Sequence, residues 1–307
     1  MWLTLFLRTM EQGLAFGLLA LGVYLTFRIL DFPDLTVEGS FPLGAAITAQ
    51  AIVLGTNPFL ATFLAFLAGA MAGMITGVIN TKLRIAGLLA GILTMTSLYS
   101  INLRIMGRSN IPLLREETII TILKDWNLNP RYITLISFVL IVFLIKFILD
   151  YFLYTEIGMA IRATGDNPVM IESLGVNTDY VKIMGLALAN GLVALSGGLV
   201  AQYQGFTDIG MGIGMIVIGL ASVIIGEVVI RTSRIPLATF GVIIGSIIYR
   251  MAIAIALQLG FAPTDLKVVT AVLVILALGA PSLRRFMIQD EFAEHLMEGG
   301  NSDAGNR

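Results

Sequence analysis

The sequence predicts an all-α membrane protein: a polytopic bundle of about eight to ten transmembrane helices, in two repeated halves with broken or re-entrant segments. Three observations support this fold class. Of the 307 residues, 57% are hydrophobic and only 13% are charged, with a mean hydropathy of +0.91, whereas soluble domains are roughly 25% charged. Apolar windows of about 20 residues, long enough to cross a bilayer, recur along the chain. A weak internal repeat relates the two halves.

Composition also excludes several classes of function. The net charge of -1 leaves no clustered basic face, so no nucleic acid is expected as a partner. The chain has no cysteine and one histidine, His295, which excludes thiolate and histidine-cluster metal sites. It contains no phosphate-binding loop, and the glycine run at 210–214 lacks the full dinucleotide fingerprint. We therefore expect no catalytic residues, no metal and no cofactor.

The first element is an apolar N-terminal anchor, which lacks the basic start and the small-residue cleavage site of a signal peptide. Small residues at four-residue spacing, such as Gly69, Gly73 and Gly77, predict close packing between helices further along the chain. The eight windows that are long enough to span a bilayer lie at about 4–27, 58–80, 85–103, 132–152, 181–203, 212–230, 236–257 and 264–281.

An irregular segment separates the first two windows. Residues 31–42 contain Pro33 and Pro42, and the apolar run that follows at 43–54 is short for a full span. We interpret the segment as a broken or re-entrant helix. Irregular backbone at membrane depth is tolerated only where protein or a water-filled cavity satisfies its amides, so such a break usually faces a pathway. The alternative is an ordinary loop followed by a ninth, tilted span.

Lysine and arginine residues predict the orientation, because cytoplasmic loops carry an excess of them. We expect both termini in the cytoplasm, on the same side as the basic loops. The segment 104–131 then lies outside, although it is basic as well. If eight helices cross the membrane, three pairs of basic residues lie on the same side of it: Lys82 with Arg84, Arg231 with Arg234, and Arg284 with Arg285.

The internal repeat supports the same layout, since Arg84 and Tyr99 recur as Arg234 and Tyr249 with the same spacing. Duplicated halves around a central path are typical of transporters. We therefore expect one transmembrane permease domain. Its boundaries are 1–282 for the domain, about 1–152 and 181–281 for the two halves, 154–180 for the loop between them, and 283–307 for a polar cytoplasmic tail.

The loop at 154–180 contains the start and stop residues of two short helices that meet at a corner. Gly165 suits the left-handed end of the first helix, Asp166 or Asn167 can cap the second, Pro168 suits its first position, and Gly175 can end it. The second helix exposes apolar side chains but is too short to be stable alone. Docking into the groove of a soluble partner is its natural use. The alternative is an interfacial loop whose apolar side chains dip among lipid headgroups.

This loop resembles that of the permease subunits of ATP-binding-cassette (ABC) importers for branched-chain amino acids, ribose and related solutes. The family's pattern is approximately GxxxRAxxxNxxAAxxxGI, and Met170 and Ile171 stand here in place of its paired alanines. The segment 34–40 also resembles the family's DLSVGS, with Glu38 as an extra residue. The branch labelled as tryptophan and tyrosine importers is the most similar. The matching loop positions are Gly158, Arg162, Ala163, Asn167, Gly175 and Val176.

The resemblance implies a multi-pass subunit of the bacterial cytoplasmic (inner) membrane, without an ATPase site of its own. Its partners would be cytoplasmic ABC ATPase subunits, an extracytoplasmic solute-binding protein, a second permease copy in a homodimer, and membrane lipid. The solute would be an aromatic or branched-chain amino acid. The residues expected to couple to the ATPase are Gly158, Arg162, Ala163, Asp166, Asn167, Pro168, Met170, Ile171, Glu172, Leu174 and Gly175.

Polar groups within the spans are candidates for the solute pathway, because they are costly in hydrocarbon unless they face a cavity or a partner. Arg250 would contact an anionic group of the solute or form an ion pair with Asp208, Asp34 or Glu38. Lys146 is expected to extend its stem to the headgroups. The candidate pathway residues are Glu38, Gln50, Asn190, Gln202 and Arg250.

Two alternatives to the importer subunit stay open at this point. One is a secondary carrier or a membrane scaffold that works without an ATPase. The other keeps the importer but replaces the amino acid by a sugar or a nucleoside.

Overall fold

The computed structural model of the protein describes residues 2–124, 132–262, 265, 268–272 and 275. It contains one short antiparallel pair of strands, β1 (Asn110–Pro112) and β2 (Phe206–Asp208). All other elements of the described chain are helical. The helices are α1 (Trp2–Tyr24), α2 (Val37–Val53), α3 (Pro58–Thr81), α4 (Gly87–Met106), α5 (Ile119–Lys124), α6 (Ile133–Leu153), α7 (Glu156–Asp166), α8 (Pro168–Ser173), α9 (Thr178–Gln204), α10 (Met215–Val229) and α11 (Ile235–Gln258).

Seven segments of the described chain are long and apolar enough to cross a bilayer. The prediction of an all-α polytopic bundle is confirmed. Most of the last predicted window, 264–281, and the whole predicted tail lie outside the described residues. The seven segments are Leu5–Ile29, Pro58–Thr81, Gly87–Met106, Ile133–Leu153, Thr178–Gln204, Ile209–Val229 and Ile235–Gln258.

Helix α9 lies at the centre of the bundle and packs against α1, α2 and α3. Small residues allow this close approach: a Cβ on Gly69 would clash with the carbonyl of Asn190, and one on Gly73 with the carbonyl of Leu186. The predicted close packing along the 69–77 glycine stripe is therefore present, and its partner is α9.

The chain is irregular between the first helix and α2, within the segment where the sequence predicts a broken or re-entrant helix, and the irregular part is shorter than predicted because α2 begins at Val37. Helix α1 continues as a π-helical turn at Leu25–Ile29, and irregular backbone follows until α2 begins at Val37. The start of α2 lies inside the bundle, because Ser40 contacts Asn190 in the middle of α9. From there α2 runs parallel to α9, with Gly44 against Ala194 and Gly198 against Thr48. Helix α2 therefore covers only part of the bilayer.

A second break follows α9. The chain turns at Gly205, which has a φ of +77°, passes through β2, and forms a 3-10 turn at Ile209–Gly212. The amide of Gly214 then donates a hydrogen bond to Glu38 Oε1 over 3.0 Å, directly before α10 begins. Helices α2 and α10 thus start next to each other inside the bundle.

The N terminus and the 154–180 loop lie at opposite ends of the bundle. Helix α1 is antiparallel to α9, since the hydroxyl of Tyr203 lies 3.0 Å from Glu11 Oε2 while Gly22 packs on the carbonyl of Ala189. The prediction that the N terminus shares the side of this loop is therefore wrong. The reason is that the irregular segment after Ile29 and α2 together carry the chain back through the bundle, a pass that the eight windows did not count.

Candidate functional site

The first half of the 154–180 loop is anchored to the bundle. Thr155 caps α7 by accepting a hydrogen bond from the amide of Gly158 over 3.3 Å. Gly158 is buried against the carbonyl of Phe152. Ile161 is fully buried in a cluster that includes Leu30 at the break after α1. Helix α7 is therefore a fixed part of the bundle.

Gly165 differs from the expectation that it ends the first helix in a left-handed conformation. Helix α7 continues through Asp166, and Asn167 follows it in an extended conformation. Gly165 is instead the point of closest approach between α7 and the π-helical turn, because a Cβ there would clash with the carbonyl of Ile29. The loop thus contacts the break in the first helix directly.

The second half of the loop has the helix cap, the first-turn proline and the helix end that the sequence predicts. Asn167 Oδ1 accepts a hydrogen bond from the amide of Met170 over 3.0 Å, and Pro168 occupies the first turn of α8. Gly175 ends the corner with a φ of +85°. Glu172 accepts a hydrogen bond from the hydroxyl of Thr178, which ties α8 to the start of α9. These local contacts fix the angle between α8 and its neighbours.

Helix α8 presents an exposed apolar surface. None of its six residues is buried. Val169 is 75% exposed and Leu174, directly after the helix, is 66% exposed, with Met170 exposed between them and Ile171 half-buried. A six-residue helix cannot hold this surface by its own stability, so the caps and α7 hold it in place.

The polar face of α7 borders a cavity of about 710 Å³ at the same end of the bundle. Arg162 and Asp166 line it, together with Arg28 at the end of the first helix and Glu227 at the end of α10. Arg28 Nε and Glu227 Oε1 form an ion pair at 2.7 Å. Ala163, by contrast, is half-buried beside these groups. The charged residues of the loop therefore border the end of the first helix and the end of α10.

Asn190 lies at the centre of a buried polar cluster that supports the first break. Its Nδ2 donates to Asp34 Oδ2 over 2.6 Å, and its Oδ1 accepts from the hydroxyl of Ser40 over 2.7 Å. Asp34 Oδ1 accepts from the amide of Thr36 over 2.9 Å. These bonds satisfy backbone and side-chain groups that hydrocarbon could not. From the sequence, Asp34 was expected only as a possible partner of Arg250, and its role in this cluster was missed.

Gln202 joins three elements at the end of the bundle opposite α8. Its Oε1 accepts from the amide of Ile119 over 2.9 Å and its Nε2 donates to the hydroxyl of Thr62 over 2.7 Å. Both polar ends of this buried side chain are thus used within the protein, which indicates packing between α3, α5 and α9. Gln50 lies half-buried near the end of α2.

Arg250 forms none of the three ion pairs that the sequence suggested. Within the described residues, its guanidinium lies over the ring of Phe16, with 3.5 Å between Cζ and the ring centroid. Asp34 is engaged as above, Glu38 bonds the amide of Gly214, and Asp208 caps Gly210. The five candidate pathway residues therefore do not form one site, and only Glu38 and Asn190 lie near the start of α2.

Lys146 also differs from expectation. Its Nζ is paired with Asp150 one turn along α6, and both side chains are buried. Asp150 Oδ1 accepts a second bond from the hydroxyl of Thr239 on α11 over 2.7 Å. The ammonium is therefore held inside the bundle by a carboxylate, and its stem does not reach the headgroups.

Several known proteins are similar to this chain in sequence. The chain is 44% identical over 274 residues to the tyrosine transport system permease protein of Clostridioides difficile (strain R20291), covering 89% of this chain and 90% of that one. An uncharacterized protein of Rickettsia prowazekii (strain Madrid E) is 36% identical, covering 62% and 66%. A solved structure of PsaBC from Streptococcus pneumoniae in complex with Fab has a TM-score of 0.46 at 14% identity, covering 89% and 87%.

The family described as branched-chain amino acid transport system, permease component, matches residues 5–278. This match includes both breaks, the loop at 154–180 and all seven spanning segments. The resemblance that the loop and the 34–40 segment indicated is thereby confirmed. The chain belongs to the family of branched-chain amino acid transport system permease components.

Proposed function

We propose that the chain is the membrane-embedded permease subunit of an ABC importer for an aromatic amino acid, and that α8 is the segment on which a cytoplasmic ATPase docks. The observation that carries the proposal is the apolar surface of α8, which is exposed yet held by a cap at each end. An apolar helix face of this kind suits the groove of a partner protein. The substrate class follows the 44% identical relative, which is named for tyrosine transport.

A continuous series of contacts would carry motion from the ATPase to the pathway. Helix α8 is joined to α7 at Asn167, and α7 contacts the π-helical turn through Gly165 and Ile29. The irregular backbone after that turn is held by Asp34 and Asn190 at the start of α2. A displacement of α8 would therefore reach the interior break through rigid elements, and the permease itself performs no bond chemistry.

The assembly we propose contains two copies of this chain in the bacterial inner membrane, two ATPases on the loop side, and a solute-binding protein on the opposite side. The loop at 154–180 would then be cytoplasmic. The basic side chains at the same end agree with this orientation, since Lys82 lies 2.8 Å from Asp179 at the start of α9.

Substitutions on α8 test the docking site. We expect Met170→Glu and Leu174→Glu to abolish copurification of the coexpressed ATPase, because each places a charge on the apolar surface. ATP-dependent tyrosine uptake by proteoliposomes that hold the whole complex should fall by about tenfold or more, as expected for loss of a central interface contact. The matched control is Leu54→Glu, since Leu54 is 74% exposed at the opposite end of the bundle.

Three results would contradict the proposal. The first is an unchanged ATPase yield with both α8 variants. The second is gradient-driven tyrosine uptake by the purified chain without any ATPase, which would favour a secondary carrier. The third is ATP-dependent uptake of a sugar or a nucleoside in place of an aromatic amino acid.

A further inference from the structure

A cavity that includes Glu38, one of the candidate pathway residues, lies beside the interior starts of α2 and α10. It has a volume of about 330 Å³ and is bounded by the first turns of α2, by α4, and by the 3-10 turn at Ile209–Gly212. Pro42, Met95 and Ile213 supply apolar walls. Cavities that hold small ligands have volumes of about 300–1,000 Å³ and mostly apolar walls with a few polar groups. This cavity has the size and lining of such a site.

One wall carries a buried acceptor without a partner. Asn102 lines the cavity and is only 1% exposed. Its Nδ2 donates to the carbonyl of Gly39 over 3.2 Å, whereas its Oδ1 has no hydrogen-bond partner among the described residues. A buried acceptor that lacks a donor is costly, so a ligand in the cavity that donated a hydrogen bond to Asn102 would remove this cost.

The charge of the lining favours a cationic group. The carboxylate of Glu38 lines the same cavity and is half-buried. One of its oxygens accepts from the amide of Gly214. No described residue of the lining is a lysine, an arginine or a histidine. A carboxylate and an amide oxygen without a cation suit a primary ammonium, which has three donors to offer.

The exposed face of α4 indicates that the cavity opens to water. Thr96, Tyr99 and Ser100 all line it and all are exposed. The hydroxyl of Thr96 donates within α4 to the carbonyl of Ile92 over 2.8 Å. Polar groups such as the hydroxyls of Tyr99 and Ser100 are costly against hydrocarbon and usually border a water-filled space or a protein partner. Tyr99 also adds an aromatic surface on which a flat side chain can pack.

The other end of a zwitterion has a suitable neighbour as well. Ile213 lines the cavity, and α10 begins two residues later at Met215. The free amides of a helix's first turn point back along its axis and favour a negative group. A carboxylate placed between Ile213 and α10 would therefore be stabilised while an ammonium contacts Glu38 and Asn102.

We propose that this cavity is a recognition site for the transported solute, in which Glu38 and Asn102 bind the ammonium group of an amino acid and Tyr99 and Met95 contact its aromatic side chain. The inference rests on the proposed function and adds to it the residues that select the solute. Sugars and nucleosides without a cationic group do not complete such a site.

The cysteine-free sequence allows a direct test of occupancy. Ser100→Cys places a thiol in the lining, and Ser97→Cys, on an exposed position of the same helix that does not line the cavity, is the matched control. The assembled complex is treated with N-ethylmaleimide in the presence of tyrosine, tyramine or 3-(4-hydroxyphenyl)propionate. Tyrosine and tyramine should slow modification of Ser100→Cys by about tenfold at about ten times their half-saturating concentration, and should leave Ser97→Cys unchanged.

Substitution of the two acceptors gives a second readout. Glu38→Gln and Asn102→Leu should each raise the KM for tyrosine by about tenfold, because each removes a hydrogen bond to a charged group. Copurification of the ATPase should stay at the wild-type level, since α8 is unchanged. A variant that does not fold would lose that copurification, so the thiol protection measured on the otherwise native chain decides the question.

The outcomes separate this inference from the proposed function. If the wild-type complex transports tyrosine but tyrosine does not protect Ser100→Cys, the recognition site is refuted and the importer stands. If the deaminated acid protects as well as tyrosine does, the ammonium contact is refuted. If tyramine protects Ser100→Cys but the complex transports no aromatic amino acid, the site stands and the proposed function is refuted.

Discussion

At the scale of single residues, Asn190 shows how a polar side chain makes a broken helix tolerable inside a membrane protein. One amide serves the carboxylate of Asp34, the hydroxyl of Ser40 and the carbonyl of Leu186. Without Asn190, the carboxylate of Asp34 and the hydroxyl of Ser40 would each lose a hydrogen bond inside the bundle. The amide therefore fixes both the start of α2 and its position on α9.

Removal of that amide should destabilise the fold. We expect Asn190→Leu to lower the free energy of unfolding by about 2–4 kcal/mol, because it leaves the buried carboxylate of Asp34 with fewer donors. The double variant Asn190→Leu, Asp34→Leu should lose less than the sum of the two single changes, with a coupling of about 1–3 kcal/mol. Equilibrium unfolding in detergent micelles, followed by circular dichroism, measures the free energy of unfolding of the two single variants and of the double variant. Additive losses would show that the two side chains act independently.

Residue type and span position were enough to identify Asn190 and Gln202 as polar groups that need partners. They were not enough to identify the partners, which lie far away in sequence, such as Thr62 and Ile119 for Gln202. Arg250 shows the same difficulty, because its contact with Phe16 depends on how α11 packs against α1. A charged residue in a span indicates a contact, and only the fold decides which one.

At the scale of elements, the loop at 154–180 combines an anchored helix with an exposed one. Its caps are local, so Asn167, Pro168 and Gly175 could be read from the sequence alone. The role of Gly165 could not be predicted from the sequence, because it depends on contact with the carbonyl of Ile29 at the end of the first helix. A glycine that suits a helix end and a glycine that allows close packing look identical in sequence.

The contact at Gly165 leads to a prediction about coupling. We expect Gly165→Ala to reduce ATP-dependent uptake by about tenfold or more, because the added methyl group displaces α7 from the π-helical turn, and overpacking of this kind costs about 1–3 kcal/mol. Uptake by proteoliposomes and ATPase copurification are measured together, and the latter should persist because α8 is unchanged.

Gly185→Ala is the matched control for that change. Its nearest neighbour would be the flexible end of the Leu30 side chain, at 3.2 Å, so it adds the same methyl group close to the same joint without meeting backbone. Equal losses of uptake in the two variants would contradict a specific role for the contact between Gly165 and Ile29.

At the scale of the whole molecule, the arrangement of helices determines which parts of the chain share a side of the membrane. The sequence windows predicted the membrane bundle correctly, and Pro33 indicated the first break, whereas Pro42 lies inside α2. The side of the N terminus was predicted wrongly because α2 has only 17 residues, too few to be counted as a span by length. One short helix therefore reversed the predicted side of everything that precedes it.

Single cysteines can check this arrangement in a chain that has none of its own. We expect Leu54→Cys and Leu174→Cys to react with a membrane-impermeant maleimide from opposite sides, because both residues are well exposed and lie at opposite ends of the bundle. Intact cells should label only the first, and permeabilised cells both. Labelling of both cysteines in intact cells would contradict the observed arrangement.

The contact between Glu38 and the amide of Gly214 places the interior starts of α2 and α10 at one depth. A continuous helix resists bending along its length, whereas an interrupted one bends most easily at the interruption. We therefore expect the bundle to bend most easily in the layer where α2 and α10 begin.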